Sequence, residues 1–149
     1  MRNRIAKALL LIALAIAAAA HILTYVAMGD PAWVTFSLSL VVISFLAAVA
    51  GMFLTKVPRT QVPSRGLGLF AALLVVYAII TFVHLHQEMG GVWNLEETGG
   101  KYLLENNGKV IRAVSRQEYW MFEGLFFRTW SAVAGAISVF GLARLRGKH

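Results

Sequence analysis

Four polar side chains recur in an otherwise apolar stretch at spacings of four, three and four residues: Tyr77, Thr81, His84 and Glu88. These spacings place all four on one face of a helix. A histidine and a carboxylate one turn apart can ligate a metal, and His21 from another apolar stretch would complete a three-ligand set typical of catalytic zinc. His21, His84 and Glu88 are therefore the candidate ligands of a metal or a haem.

The competing interpretation gives these side chains a structural role. Polar groups at membrane depth are costly and need partners, so a histidine there can serve to hydrogen-bond a neighbouring helix. The chain contains no His-Glu-x-x-His motif. This favours the structural role for His21, and no cofactor is predicted.

A further apolar stretch contributes an arginine to the same region. Arg128 lies in a stripe of small residues that predicts the packing face of its helix: Gly124, Arg128, Ser131, Gly135 and Ser138. It should pair with Glu88 or Glu123, or reach outward to the membrane surface. Glu123 is five residues away on the same helix, a poor geometry for an ion pair, so Glu88 is favoured. The predicted intramembrane polar cluster comprises His21, Tyr25, Tyr77, Thr81, His84, Glu88, Glu123 and Arg128.

Four apolar runs, at approximately 5–28, 33–55, 67–86 and 119–143, position these residues. Each is long enough for a transmembrane helix, which needs about 20 residues. The chain is 58% hydrophobic, whereas about 45–50% is usual in soluble domains. We therefore expect a single integral membrane domain over residues 1–149, an all-α bundle of four transmembrane helices. The first run also has the features of a signal peptide with cleavage near 17–20, but its apolar character continues to Met28, which favours an uncleaved helix.

The charge distribution orients this bundle. All seven acidic residues fall on the side that carries the first connection and the long segment 90–118. Nine of the fourteen basic residues fall on the other side: Arg2, Arg4, Lys7, Lys56, Arg59, Arg65, Arg144, Arg146 and Lys148. Because Lys and Arg near transmembrane helices stay in the cytoplasm, both termini are expected inside and segment 90–118 outside. The net charge of +7 then reflects topology and attraction to anionic lipid, and no nucleic-acid partner is predicted.

Segment 90–118 carries the signal of a β-hairpin. Strands at 101–105 and 110–114 flank Asn107-Gly108, a dipeptide whose two positions tolerate the positive φ of a two-residue turn. With that turn, Leu104 opposes Ile111 and Tyr102 opposes Ala113, so Tyr102, Leu104 and Ile111 form an apolar face. A hairpin alone is marginally stable in water. This face must therefore pack on helix ends, on the membrane surface or on a partner.

Local signals mark where the helices begin and end. Ser115-Arg116-Gln117-Glu118 matches a capping box, which starts the fourth helix directly after the hairpin and gives Glu118 a structural role. Gly29 is suited to follow the end of the first helix, and Asp30 with Pro31 to start the second. Pro58 and Pro63 mark the loop 56–65.

One stretch of the chain is similar to small bacterial inner-membrane proteins of uncharacterised function. The residues that carry the resemblance are Asn106-Asn107-Gly108, Val114-Ser115, Glu118-Tyr119 and Arg128. They resemble a pattern of an Asn-x-Gly turn, a Val/Ile-Ser/Thr-x-x-Glu-Tyr helix start and a later arginine. A Ser-Gly-His stretch expected after the arginine is absent at 129–132. The resemblance implies a four-helix architecture and a bacterial inner membrane, and it implies no activity. With the orientation expected from the charges, the hairpin would lie in the periplasm.

The leading functional hypothesis is non-enzymatic. Tyr102, Leu104, Ile111 and Asn107 would bind a protein partner, as in an accessory subunit or an immunity protein, because an exposed apolar patch marks an interaction site. One alternative is a channel or transporter subunit that works as a homo-oligomer, with the polar residues of 77–88 and Arg128 lining a pathway. Another is a metal- or haem-dependent enzyme that uses His21, His84 and Glu88. The chain has no cysteine, which excludes thiol redox chemistry and disulfides.

Overall fold

Four long α-helices and a small antiparallel sheet make up the fold. The computed structural model describes residues 1–26, 31–55, 64–91 and 94–146. The helices are α1 (Arg2–Val26), α2 (Pro31–Leu54), α3 (Arg65–Glu88) and α4 (Arg116–Leu145), and between α3 and α4 lie the strands β1 (Asn94–Thr98), β2 (Lys101–Asn106) and β3 (Lys109–Val114). Each helix contains a stretch long and apolar enough to cross a membrane. The prediction of four apolar helices is confirmed.

Helix α4 lies at the centre of the bundle. It packs against α1, α2 and α3, and it is the most buried of the four helices. The small residues of its predicted stripe, Gly124, Ser131, Gly135 and Ser138, are all buried. Small side chains let helix backbones approach closely within a membrane. The predicted packing face of this helix is therefore correct.

The closest packing in the bundle surrounds Leu10 of α1. This side chain is fully buried, and a Cβ atom added at Gly51 of α2 or at Gly141 of α4 would lie 2.8 Å from it. A side chain at either position would overlap Leu10, so both positions need glycine. These two glycines let α1, α2 and α4 come together around one leucine.

Helix α3 is attached mainly to α4 and stays apart from α1 and α2 along most of its length. A cleft of about 380 Å³ separates it from α1, and one of about 710 Å³ separates it from α2. Contacts at both ends of α3 fix its position. The Ser64 N–H donates to the Ala143 carbonyl oxygen at 3.1 Å, and Leu85 and Met89 enter a hydrophobic core near the sheet.

The sheet has three strands in the order β1-β2-β3, one more than the hairpin that the sequence predicts. The turn between β2 and β3 lies at Asn107-Gly108, where both residues have positive φ as predicted. The additional strand, β1, pairs antiparallel with β2. Asn and Glu are poor strand formers, so the segment Asn94–Thr98 forms a strand because β2 offers it an edge.

The predicted pairing of Leu104 with Ile111 and of Tyr102 with Ala113 is wrong. Leu104 pairs with Arg112 and Tyr102 with Val114. Between the Glu105–Val110 and Leu104–Arg112 pairs, Ile111 is an extra residue, so β3 contains a β-bulge. The bulge moves Ile111 off the face that Leu104 and Tyr102 share.

The sheet packs onto the ends of α3 and α4 through a hydrophobic core, which we call the sheet-end core. Its buried residues are Leu85, Met89, Leu104, Val114, Phe122 and Leu125. Helix α4 begins directly after β3 with the predicted capping box: the Glu118 N–H donates to Ser115 Oγ, and the Ser115 N–H donates to the Glu118 carboxylate. The sheet and α4 are thus continuous, and one side of the hairpin packs on helix ends.

Two predicted boundaries fall outside the described residues. They are Gly29 with Asp30, between α1 and α2, and the loop with Pro58 and Pro63, between α2 and α3. The end of α2 itself is described. Arg2 donates from Nε to the Leu54 carbonyl oxygen at 2.9 Å and from Nη2 to that of Phe53 at 3.2 Å. These bonds place a positive charge at the negative end of α2.

Candidate functional site

A chain of hydrogen bonds joins three helices in the half of the bundle nearer the sheet, which we call the sheet end. His21 of α1 lies at its centre, with Nδ1 2.9 Å from Ser131 Oγ of α4 and Nε2 3.3 Å from the Tyr77 hydroxyl of α3. The Tyr77 hydroxyl also lies 3.3 Å from that of Tyr25. The residues His21, Thr24, Tyr25, Tyr77, Arg128 and Ser131 form what we call the His21 cluster.

The direction of donation in this chain follows from Ser131. Its hydroxyl donates to the Arg128 carbonyl oxygen at 3.0 Å, so its oxygen accepts from Nδ1–H of His21. A neutral imidazole protonated on Nδ1 carries its lone pair on Nε2. In this tautomer Nε2 accepts from the Tyr77 hydroxyl, whose oxygen is then an acceptor for Tyr25. A neutral His21 protonated on Nδ1 thus satisfies every hydrogen bond of this chain.

Arg128 completes the cluster. Its Nε donates to Thr24 Oγ1 and its Nη2 to the Thr24 carbonyl oxygen, both at 3.2 Å, and its guanidinium lies 3.8 Å from the centroid of the Tyr25 ring. The Thr24 hydroxyl donates in turn to the His21 carbonyl oxygen at 2.6 Å. A guanidinium over an aromatic face is a cation–π contact. A positive charge in the last turn of α1 also complements the negative end of that helix.

The predicted ion pair between Arg128 and Glu88 is wrong. Among the described residues neither Glu88 nor Glu123 forms an ion pair with Arg128, which bonds Thr24 instead. The reason is the position of α3 along α4. Thr129 meets Thr81, their hydroxyl oxygens 3.1 Å apart in a buried contact, and Glu88 lies seven residues beyond Thr81, roughly 10 Å along the helix.

The three predicted metal ligands do not come together. His21 contacts Tyr77, whereas His84 lies seven residues further along α3, roughly 10 Å away along the helix axis. His84 Nδ1 and Glu88 Oε1 are 3.9 Å apart, on side chains that are 54% and 47% exposed. In the part of the chain that the structure describes, no three His, Cys, Asp or Glu side chains are placed to hold a metal.

An apolar cleft opens beside the cluster between α1, α3 and α4, and we call it the His21 cleft. Its volume is about 380 Å³. It is lined by Leu14, Ala17, Ala18, His21, Ile22, Phe70, Leu74, Tyr77, Ser131, Ala132 and Gly135. The three cluster members in this set supply nearly all of its polar character. The geometry is that of a slot for an apolar chain with hydrogen-bonding groups at one end.

The structure separates the four residues predicted to bind a partner. Leu104 is 1% exposed and belongs to the sheet-end core, and Tyr102 packs on Tyr119 with 4.7 Å between ring centroids. Ile111 is 55% exposed, and Asn107 is exposed in the turn. Leu104 is therefore unavailable to a partner. The apolar surface that remains on the sheet is centred on β3.

Comparison with protein families, with curated proteins and with solved structures gives no match to this chain. The resemblance of residues 106–128 to small bacterial inner-membrane proteins stays a prediction.

Proposed function

We propose that this chain is a multi-pass protein of the bacterial inner membrane that binds a protein partner through strand β3 and catalyses no reaction. The proposed orientation places both termini in the cytoplasm and the sheet in the periplasm. The charges at the described helix ends support it, because the end away from the sheet carries Arg2, Arg4, Lys7, Arg65, Arg144 and Arg146. Lys and Arg close to transmembrane helices are retained on the cytoplasmic side.

The proposal of partner binding rests on the exposed edge of β3. β3 is an outer strand of the sheet and pairs with β2 on one side. Because the bulge at Ile111 interrupts the alternation of faces, the neighbours Val110 and Ile111 are 54% and 55% exposed. An outer strand offers backbone N–H and C=O groups to an added strand, and exposed side chains beside it can bind alternate side chains of that strand.

The opposite edge of the sheet has a different chemistry. β1 carries Glu97, which is exposed, and charged residues on an edge strand discourage pairing with another chain. On β3 the charge of Arg112 is compensated, because its Nη1 lies 3.1 Å from Glu118 Oε1. An incoming strand would therefore meet the apolar pair Val110 and Ile111 at β3 and the exposed Glu97 at β1. This contrast favours β3 as the binding edge.

Single-cysteine variants can test the orientation, since the chain contains no cysteine. We choose Ile111→Cys on β3, Glu97→Cys on β1 and Ser64→Cys before α3. A membrane-impermeant thiol reagent added to intact cells should label positions 111 and 97 and leave 64 unlabelled. Labelling at 64 without labelling at 111 would show that the proposed orientation is wrong.

The same variants test the partner. A short thiol-to-amine crosslinker applied to native membranes should give a protein adduct from position 111 and none from 97. Both positions are exposed on one small sheet, so a difference in yield reports the edge rather than general accessibility. Equal yields at the two positions, or no adduct at either, would contradict partner binding through β3. An adduct with the mass of two chains would identify the partner as a second copy.

A further inference from the structure

The guanidinium of Arg128 has a charge that the described part of the chain does not neutralise. Its hydrogen bonds go to a neutral hydroxyl and a carbonyl of Thr24, and its ring contact is with Tyr25. Among the described carboxylates none forms an ion pair with it. A charged group near the hydrocarbon is costly without a counter-ion. The site therefore favours an anion supplied from outside the chain.

The guanidinium can still bind such an anion. Two of its five N–H donors, one on Nε and one on Nη2, are used for Thr24. The planar fork of an arginine binds phosphate oxygens in pairs. Tyr25, over which the guanidinium lies, is 59% exposed at the surface of the bundle. An anionic group in the lipid head-group layer can therefore approach Arg128 from the side.

The His21 cleft begins close to this position. Ser131, one of its lining residues, is three residues from Arg128 on α4, which is roughly 4.5 Å along the helix axis. From there the cleft follows α1 to Leu14 and α3 to Phe70, away from the sheet, and apart from the three cluster members its lining is apolar. The cation of Arg128 lies nearer the sheet and the apolar cleft extends away from it. A lipid molecule in a bilayer has the same order, with its head group at the surface and its acyl chains beneath.

We infer that an anionic phospholipid of the surrounding bilayer binds here, with its phosphate at Arg128 and one acyl chain in the His21 cleft. The bilayer supplies both parts of this ligand in one molecule and in the required order, with phosphate at the surface and chain beneath. Charge complementarity at Arg128 selects an anionic lipid over a zwitterionic one. The lipid would fill the space between α1 and α3 that the chain itself leaves open.

Native mass spectrometry of the purified full-length protein, incubated with phosphatidylglycerol or with phosphatidylcholine, tests the inference. The wild type should retain more phosphatidylglycerol than phosphatidylcholine. Arg128→Gln should lower the affinity for phosphatidylglycerol about fivefold, the effect of one basic side chain near a membrane surface. Lys109→Gln removes an exposed charge from the first residue of β3, at the same end, and should leave that affinity unchanged.

A second pair of variants tests the cleft. Ala18 is exposed and lines the cleft, whereas Ala19 is exposed and lies outside it. Ala18→Phe should fill the slot and reduce phosphatidylglycerol binding severalfold, and Ala19→Phe should not. Equal retention of the two lipids by the wild type would overturn the inference, as would equal effects within either pair of variants. If Arg128→Gln fails to fold, the lipid preference of the wild type and the alanine pair still decide.

Discussion

Helices α1 and α2 pack against one side of α4 around the fully buried Leu10, whereas α3 packs along the other side with a cleft on each flank. On the first side Leu10 occupies the space that Gly51 and Gly141 leave free. On the second side the contacts between α1 and α3 include the hydrogen bonds of Tyr77 to His21 and Tyr25.

The two sides of α4 are stabilised by different interactions. Lipid chains are as apolar as leucine, so helices associate in a bilayer through close packing and through hydrogen bonds rather than by excluding water. The side of Leu10 relies on close packing, which leaves no room for a ligand. On the other side α3 packs along α4, but its junction with α1 relies on a few polar contacts beside an open cleft. Binding within the bundle is therefore expected beside α3.

The largest effect should come from removing the anchor of α3 near the sheet. Leu104→Ala empties a position that is 1% exposed and that packs with Leu85, Met89 and Phe122. This core lies between the sheet and the helix ends, and the substitution loses burial and leaves a cavity, so we expect a loss of about 2–5 kcal/mol in the free energy of unfolding. The measurement is denaturant unfolding in mild detergent together with hydrogen exchange.

Hydrogen exchange should localise this loss. Faster exchange is expected in the sheet and in the last turns of α3, while the contacts of α1 and α2 with α4 stay protected. Val110→Ala, at a position that is 54% exposed, serves as the control and should change the stability by less than about 0.5 kcal/mol. Uniformly faster exchange in all four helices would show that α3 is not the separable part of the bundle.

A smaller loss is expected from the tight side. In Gly141→Ala the new Cβ would lie 2.8 Å from Leu10 Cδ1 and from Met52 Sδ. Leu10 is fully buried and also lies against Gly51 of α2, so overpacking should cost about 1–3 kcal/mol. Gly135→Ala is the matched control on the cleft side of the same helix, where the new Cβ would meet Leu74 at 3.6 Å, an ordinary contact. Similar unfolding curves for Gly141→Ala and Gly135→Ala would show that the two sides of α4 are packed equally tightly, which would contradict this prediction.

The fold was largely predictable because its signals are local. Apolar length determines the four helices, and the capping box of Ser115 and Glu118 together with the Asn107-Gly108 turn depends on a few adjacent residues. The strand β1 was missed because its residues do not favour a strand and its pairing with β2 is a tertiary contact. The bulge at Ile111 was missed because strand alternation cannot show which residue is left unpaired.

The site was less predictable because it depends on how far each helix is shifted along its neighbour. Spacing along one helix placed Tyr77, Thr81 and His84 on one face of α3, but it could not show that His21 meets Tyr77 rather than His84. Thr24 and Ser131 were left out of the predicted cluster, although each lies three residues from a member of it. Partners of a buried histidine or arginine should be sought among such hydroxyl residues as well as among acids.

The smallest effect should come from breaking the polar contact that joins α1 to α3. Tyr77→Phe removes the donor to His21 Nε2 and the acceptor for Tyr25. Hydrogen bonds between membrane helices contribute about 0.6 kcal/mol each, so the free energy of unfolding should fall by about 1 kcal/mol at most.

The ¹⁵N chemical shifts of the His21 ring give a more sensitive measurement of the same variant. Nε2 loses its hydrogen bond, while Nδ1–H still donates to Ser131 Oγ. Tyr25→Phe is the control, since Tyr77 still donates to His21 and both ring shifts should stay as in the wild type. A His21 ring that is unchanged in Tyr77→Phe, or equally changed in both variants, would disprove the assigned direction of the chain.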